Sequence, residues 1–328
     1  MFNASTQVKI IFGLIGLLVS FFVSLFFGSA ELSIQQVSAC LINDCDSQMI
    51  ETLIWQIRMP RVLVAVLCGM GLAVAGAILQ NTTRNPLAEP YLFGVVSGAG
   101  LGASIVSLWF SHSPSFVLPL VAFFGALAAI LIVVTIHSIS KKQQIASLLL
   151  SGVAVSFMFS AISQFILFVG DPFAANRVIF WLMGSLSRVE NQHLVIIAPV
   201  VIACISLVYY LHRQLDALML GEENALTMGI NVKSLRYVLL ALCAALTAIL
   251  VSFCGGIGFV GLMIPHIARQ IFGVTSAKLI TGCIIIGSIF LIWVDVIARV
   301  AVKGQEIPIG VITSVIGSLF FISLMLKK

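Results

Sequence analysis

Among the residues able to do chemistry, one ionisable side chain lies clearly inside an apolar stretch: Asp295, in GSIFLIWVDVIARV. Arg299 follows four positions later on the same helical face, near the end of the stretch, so this spacing offers a local ion pair. Coupling to protons or sodium needs a carboxylate or histidine near a bilayer midplane, and Asp295 is poorly placed for that role. His266 comes nearest among the histidines, and its surroundings fit a hydrogen-bonded structural residue. The seven cysteines have no metal-ligand spacing. Cys68, Cys204, Cys243, Cys254 and Cys283 lie in or beside apolar runs and read as small packing residues. Cys40 and Cys45 share one loop, where a local disulfide can form if that loop faces an oxidising compartment. The chain carries no GxxxxGK[ST] phosphate loop, no HExxH pair and no GxSxG elbow, so any energy from ATP must come from another polypeptide.

The residues from Arg58 to Gly102 hold the densest pattern: RMPRVLVAVLCGMGLAVAGAILQNTTRNPLAEPYLFGVVSGAGLG. Arg58 and Arg61 bracket Pro60. Small residues then recur at every fourth position, Ala65, Gly69, Ala73 and Ala77, which gives one helix a smooth face. These four are the candidate lining of a solute pathway; tight packing between membrane helices is the alternative use of the same stripe. The run breaks at Asn85-Pro86 and resumes as a second Gly-rich apolar segment.

Composition sets the class. Of 328 residues, 60% are hydrophobic and only 9% charged, with a mean hydropathy of +1.17. Soluble domains carry about 25% charged residues, so this is an integral membrane protein. The net charge of +5 comes from basic residues scattered singly between apolar runs, a pattern that does not suggest nucleic-acid binding. With about 20 apolar residues needed per helical crossing, spans are expected at 10–30, 62–80, 92–110, 116–137, 145–169, 194–211, 237–253, 257–272, 279–298 and 307–326. The fold class is therefore an all-α membrane protein with ten transmembrane helices in one domain, 1–328. The first span is too long and too weakly basic at its start for a signal peptide. The span at 257–272 is short, follows Gly255-Gly256-Ile257-Gly258 and contains Pro265, as interrupted helices beside transport pathways do.

Basic residues orient the spans. With the amino end inside, 11 of the 17 Lys and Arg fall on the cytoplasmic side, among them Lys9, Arg84, Lys141, Lys142, Arg236, Arg269, Lys327 and Lys328. Arg58, Arg61, Arg177, Arg188, Arg299 and Lys303 fall outside, where most of the acids also lie. Both termini are then cytoplasmic. The longest cytoplasmic connection, 212–236, holds a short helix from Glu222 to Met228 between Gly221 and Gly229. Ala225, Leu226 and Met228 are expected to be exposed there, as a docking surface for a soluble partner or an interfacial helix on lipid.

These motifs, taken together, resemble the FecCD-type permeases, the membrane subunits of ABC importers for iron–siderophore complexes, haem and cobalamin. The resemblance rests on RMPR at Arg58, TRNPLAEP at Thr83, SGAGLG at Ser97, FWLMGSL at Phe180, LGE at Leu220, GFVGL and IPHIAR from Gly258 to Arg269, and EIPIG at Glu306. The loop holding Cys40 and Cys45 has no counterpart in it. It implies the type II ABC importer permease architecture in the bacterial inner membrane. It also implies a second permease subunit (identical or paralogous), two cytoplasmic ATPases that use ATP and Mg, and a periplasmic or lipid-anchored substrate-binding protein. The chain itself is then no enzyme and binds no cofactor or metal of its own. The coupling segment maps to 213–236, with Gly221, Glu222, Ala225, Leu226, Met228 and Gly229. The cytoplasmic gate maps to Asn85, Leu87, Ala146 and Ser147, and the binding-protein contacts to Arg58, Arg61 and Arg299. The expected cargo is an iron(III)–siderophore, with haem or cobalamin as alternatives and an ion-coupled secondary transporter as a distant rival.

The orientation is directly testable. A reporter fused after Lys328 is expected to be active only as a cytoplasmic fusion, and one at Asp44 only on the opposite side; the reverse pattern would overturn the topology.

Overall fold

The computed structural model describes residues 4–28, 30, 32–42, 44–110, 113–139 and 145–326, with the side chains of Ala4, Ile145 and Ala146 outside that description. Lys141, Lys142, Lys327 and Lys328, used above for orientation, also lie outside it. The described chain is all-helical: α1 (Ala4–Ser24), α2 (Ile34–Leu41), α3 (Gln48–Thr52), α4 (Met59–Thr83), α5 (Val95–Trp109), α6 (Val117–Ile139), α7 (Ile145–Val169), α8 (Pro172–Leu182), α9 (Asn191–Tyr210), α10 (His212–Met219), α11 (Glu222–Thr227), α12 (Val232–Cys254), α13 (Val260–Phe272), α14 (Ser276–Val300) and α15 (Ile309–Leu326). Each expected span meets one of these helices. Among the described residues, eight helices are long and apolar enough to cross a membrane. The other two, α5 with 15 residues and α13 with 13, fall short of a full crossing by length.

Local chemistry sets the helix ends. Pro60 sits in the first turn of α4, where its missing N–H costs nothing. That helix stops at Arg84, which takes the left-handed conformation (φ 49°) just before Asn85-Pro86. Asp171 caps α8 by accepting from the Ala174 N–H, and Asn231 caps α12 through the Ser234 N–H. Ser33 and Gln36 form a reciprocal capping box on α2. A disulfide between Cys40 and Cys45 then ties the end of α2 to the turn before α3. From α3 the chain continues through one wide turn, Leu53–Arg58, into α4.

Helix α4 is the axis of the molecule. It is buried along almost its whole length, packing against α9, α12, α13 and α14. Its small residues are the reason. A Cβ at Gly69 would overlap the backbone carbonyl of Gly287 in α14, and one at Gly76 would overlap Gly261 in α13. Ala65, Ala73 and Ala77 are at most 1% exposed, and Ala73 packs beside Gly287. The expectation that Ala65, Gly69, Ala73 and Ala77 line a pathway is therefore corrected: within this chain all four are buried, and Gly69 and Ala73 form the helix–helix seam that lets α14 approach. The glycines of the second smooth segment behave alike, since Gly98 and Gly125 bring α5 and α6 into backbone contact.

This packing predicts a sharp steric penalty. Gly76→Val is expected to lower the stability of the detergent-solubilised protein by about 1–3 kcal/mol or more through overpacking. Gly229→Ala, where nothing lies within 4 Å, should cost only the left-handed backbone strain. Equal thermal stability of Gly76→Val and wild type would contradict the seam.

Candidate functional site

Charged residues gather at the two ends of α4. At its start, Arg61 Nε lies 2.8 Å from Asp295 Oδ1 and its Nη1 lies 2.6 Å from Glu306 Oε1. Arg299 reaches the other oxygen of Asp295 at 3.0 Å, the local pair that the spacing offered. Arg299 also donates to the Phe27 carbonyl (2.9 Å), and Arg58 donates to the carbonyls of Leu25 and Ala30, both at 2.6 Å. Those carbonyls belong to the chain just after α1, where no further helical turn can donate N–H groups to them. The three arginines are only 4–6% exposed. As contacts for a binding protein they were expected to face outward; instead their guanidiniums turn inward and staple the end of α1 and the start of α4 to the end of α14. Sequence spacing could reveal the pair four residues apart, but not the partnership of Arg61 with Asp295 and Glu306, which lie more than 230 positions away.

The motifs on which the family resemblance rests converge at a second place. Between α12 and α13 the chain is unwound from Gly255 to Phe259, and Phe259 holds a left-handed φ of 67°. The free backbone groups are met by other segments. Ile257 N–H donates to Tyr91 Oη and Phe259 N–H to Glu89 Oε1, both at 2.8 Å. The Cys254 carbonyl accepts from Ser185 N–H (2.8 Å), and Gly310 N–H donates to the Met183 carbonyl (2.9 Å). Glu89 thus caps α13 from another part of the chain, a role its position inside the TRNPLAEP motif did not disclose. Burial pushes the Glu89 carboxyl above the usual carboxylate range, opposed by the Phe259 hydrogen bond. His266 is structural here, with Nε2 3.0 Å from Gln270 Nε2 and its ring edge-on to Phe320.

The far end of α4 carries the residues expected in gating and coupling. Asn85 closes its turn by accepting from the Leu87 N–H (2.9 Å), leaving the Leu87 side chain 62% exposed. The turn after it, Pro90–Phe93, packs on α7, whose first turn contains Ala146 and Ser147. The Pro90–Phe93 turn meets α7 at Gly152, beyond its first turn, and the Ala146 side chain lies outside the described residues. In the 212–236 connection, Gly221 (φ 124°) and Gly229 (φ 77°) bound α11. Leu226 and Met228 are each 59% exposed, but Ala225 is fully buried. Ala225 faces the inner side of this short helix, so its expected exposure is corrected.

Two polar links join this connection to the long helices. Glu222 bonds Arg236 at 2.6 Å and lies 3.7 Å from Arg84 at the end of α4. Asp216 in α10 accepts from the Ser276 N–H (2.7 Å) and so caps α14. The Arg236 hydrogen bond holds the Glu222 carboxyl below the usual carboxylate range. That stabilisation is present at neutral pH and is lost as pH falls through the lowered value.

A helix break held by side-chain and backbone partners from distant segments, within an all-helical membrane protein, fits the architecture of a transport subunit. Residues 16–327 match the model of the FecCD transport family, and the chain belongs to that family. It is 39% identical over 275 residues to the Fe(3+)-citrate import system permease protein YfmE of Bacillus subtilis, a match covering 84% of this chain and 82% of that protein. It is 36% identical over 285 residues to the vitamin B12 import system permease protein BtuC of Salmonella schwarzengrund, covering 85% of each. Its fold is similar to a solved inward-facing conformation of a metal-chelate type ABC transporter, with a TM-score of 0.88 and 28% identity, covering 98% of this chain and 100% of that one.

The buried cluster makes a quantitative prediction. Asp295→Asn leaves Arg61 and Arg299 short of a counter-charge and is expected to cost about 3–5 kcal/mol, the usual result of breaking one side of a buried pair. Glu222→Gln, in a half-exposed pair, should cost about 1 kcal/mol or less. Thermal unfolding of both variants in detergent separates them; a stable Asp295→Asn protein would refute the structural role of the cluster.

Proposed function

We propose that this chain is the membrane-spanning subunit of a binding-protein-dependent ABC importer that carries a metal–chelate complex, with iron(III)–siderophore complexes as the cargo. The observation that carries this reading is the match of residues 16–327 to the FecCD transport family. The names of its relatives, for Fe(3+)-citrate and vitamin B12 import, support a chelated metal as cargo. ATP hydrolysis then belongs to two separate ATPase subunits, and cargo delivery to a periplasmic or lipid-anchored binding protein. A second permease subunit completes the pathway in the bacterial inner membrane, with both termini of this chain cytoplasmic.

In this mechanism the ATPases bear on the 213–236 segment through Leu226 and Met228. Movement of α11 reaches α4 through the Glu222–Arg84 link and α14 through the Asp216 cap of Ser276. The gate segments at Asn85, Leu87, Ala146 and Ser147 open and close at the same end. Alternating access follows when these elements shift about the packed α4–α14 seam.

Leu226→Glu and Met228→Glu are expected to leave membrane insertion intact while the ATPase subunits co-purify poorly. Wild-type co-purification in both would remove this segment from the interface. The function itself is tested by reconstituting the full complex in vesicles and measuring ATPase activity with iron and cobalt chelates. Stimulation by an iron chelate is expected, and no stimulation by any chelate would refute the importer role.

A further inference from the structure

Two long apolar helices that pack together also end together: α6 finishes at Ile139 and α12 starts at Val232. A recess of about 650 Å³ opens between these ends and α11. It lies where both helices leave the hydrocarbon, the depth of lipid headgroups. Near its lining residues in the chain, Ile136 and Ile139 on α6 and Val238 on α12 are exposed apolar side chains, a surface suited to acyl chains. Tyr237 stands in the lining itself, an aromatic ring with a hydroxyl that fits the same boundary.

The charges in the lining do not balance. Glu222 bonds Arg236 at 2.6 Å and lies 3.7 Å from Arg84, so its carboxylate is already shared. Lys233 lines the recess too, is exposed, and forms no ion pair among the described residues. It sits in the first turn of α12, where the positive end of the helix dipole disfavours a cation. Arg236 gives one hydrogen bond, from Nη2 to Glu222. Its Nε and the Nδ1 of His137 on α6 are enclosed with no partner among the described residues. An anion held here would relieve the conflict at Lys233 and use the uncommitted part of the guanidinium.

We propose that this recess binds the phosphate of an anionic phospholipid headgroup through Lys233 and Arg236, with the acyl chains along α6 and α12, and that its occupancy braces α11. The binding stands on the geometry of this chain alone. The bracing rests on the importer reading above, in which α11 belongs to the coupling segment. A phosphate gives Arg236 a second acceptor without removing Glu222, so the link from Glu222 to Arg84 and α4 is kept. Free inorganic phosphate offers the same oxygens without acyl chains, which makes the two sources separable.

The test titrates the purified full chain in detergent with short-chain phosphatidylglycerol, phosphatidylcholine or inorganic phosphate, and follows thermal unfolding. Phosphatidylglycerol is expected to bind about tenfold more tightly than phosphatidylcholine, and inorganic phosphate neither to stabilise the chain nor to compete. Lys233→Glu is expected to erase that preference while the lipid-free protein stays as stable as wild type, because an acid suits the first turn of a helix. Arg213→Ala removes an exposed cation of α10 that does not line the recess and should keep the preference. Equal affinity for the two lipids in wild type, or a preference surviving in Lys233→Glu, would overturn the site. Inorganic phosphate binding as well as phosphatidylglycerol would overturn the lipid assignment. In vesicles, replacing phosphatidylglycerol by phosphatidylcholine is expected to slow ATP hydrolysis by the assembled complex about fivefold, the low end of coupling between sites, and Lys233→Glu to be slow in both. A rate indifferent to the lipid, with binding intact, would overturn the bracing and leave the importer reading standing. That reading falls only if no chelate stimulates the complex.

Discussion

Backbone groups freed in an apolar surrounding must find partners inside the protein, and the gap between α12 and α13 puts that constraint at the centre of this molecule. Five residues from Gly255 to Phe259 leave the helical pattern. The N–H groups of Ile257 and Phe259 are received by Tyr91 and Glu89, while Ser185 donates to the Cys254 carbonyl that ends α12. Those partners come from the turns after α4 and α8, and the start of α15 is fixed to the same place through Gly184 and Met183. Four distant stretches are therefore obliged to meet. Close approach is possible because the meeting points are glycines: a side chain at Gly310 would strike the carbonyls of Gly256 and Met183.

Around that junction the helices are joined by two different forces. Along α4, van der Waals contact through Gly69 and Gly76 holds α14 and α13 at backbone distance, which suits a bilayer that supplies no hydrophobic drive between helices. At the Arg61 end, ion pairing does the joining. Asp295 is 1% exposed and shared by two arginines, so each charge is met by its neighbours and by the carbonyls that end α1. Arg58, Arg61 and Arg299, three of the six basic residues expected outside, find their partners inside the chain.

The opposite end is built more loosely. Glu222, Arg84 and Arg236 are partly solvated, and α11 is a six-residue helix between two glycines with positive φ. Weak, screened links of this kind can break and re-form with little cost, whereas the buried cluster cannot. The contrast gives the molecule a firm end and an adjustable end, joined by α4 and α14 as near-rigid struts.

How much of this was legible in the sequence follows from the range of each interaction. Apolar runs of about 20 residues located the long helices, and Asn85-Pro86, Gly221 and Gly229 marked turns, because those signals are local. The Asp295–Arg299 pair was legible for the same reason: four residues make one helical turn. The stripe Ala65–Gly69–Ala73–Ala77 announced a smooth face but not what lay against it, since a smooth face serves a solute and a neighbouring helix equally well. Which it was depended on Gly287, more than 200 positions away. Outward presentation of Arg58, Arg61 and Arg299 was likewise decided largely by partners remote in sequence. Residue type and periodicity determine which helices form and which face of each is thin or polar. The choice of what covers each face belongs to the tertiary structure, because it is settled by contacts between segments that carry no mark of one another in the chain.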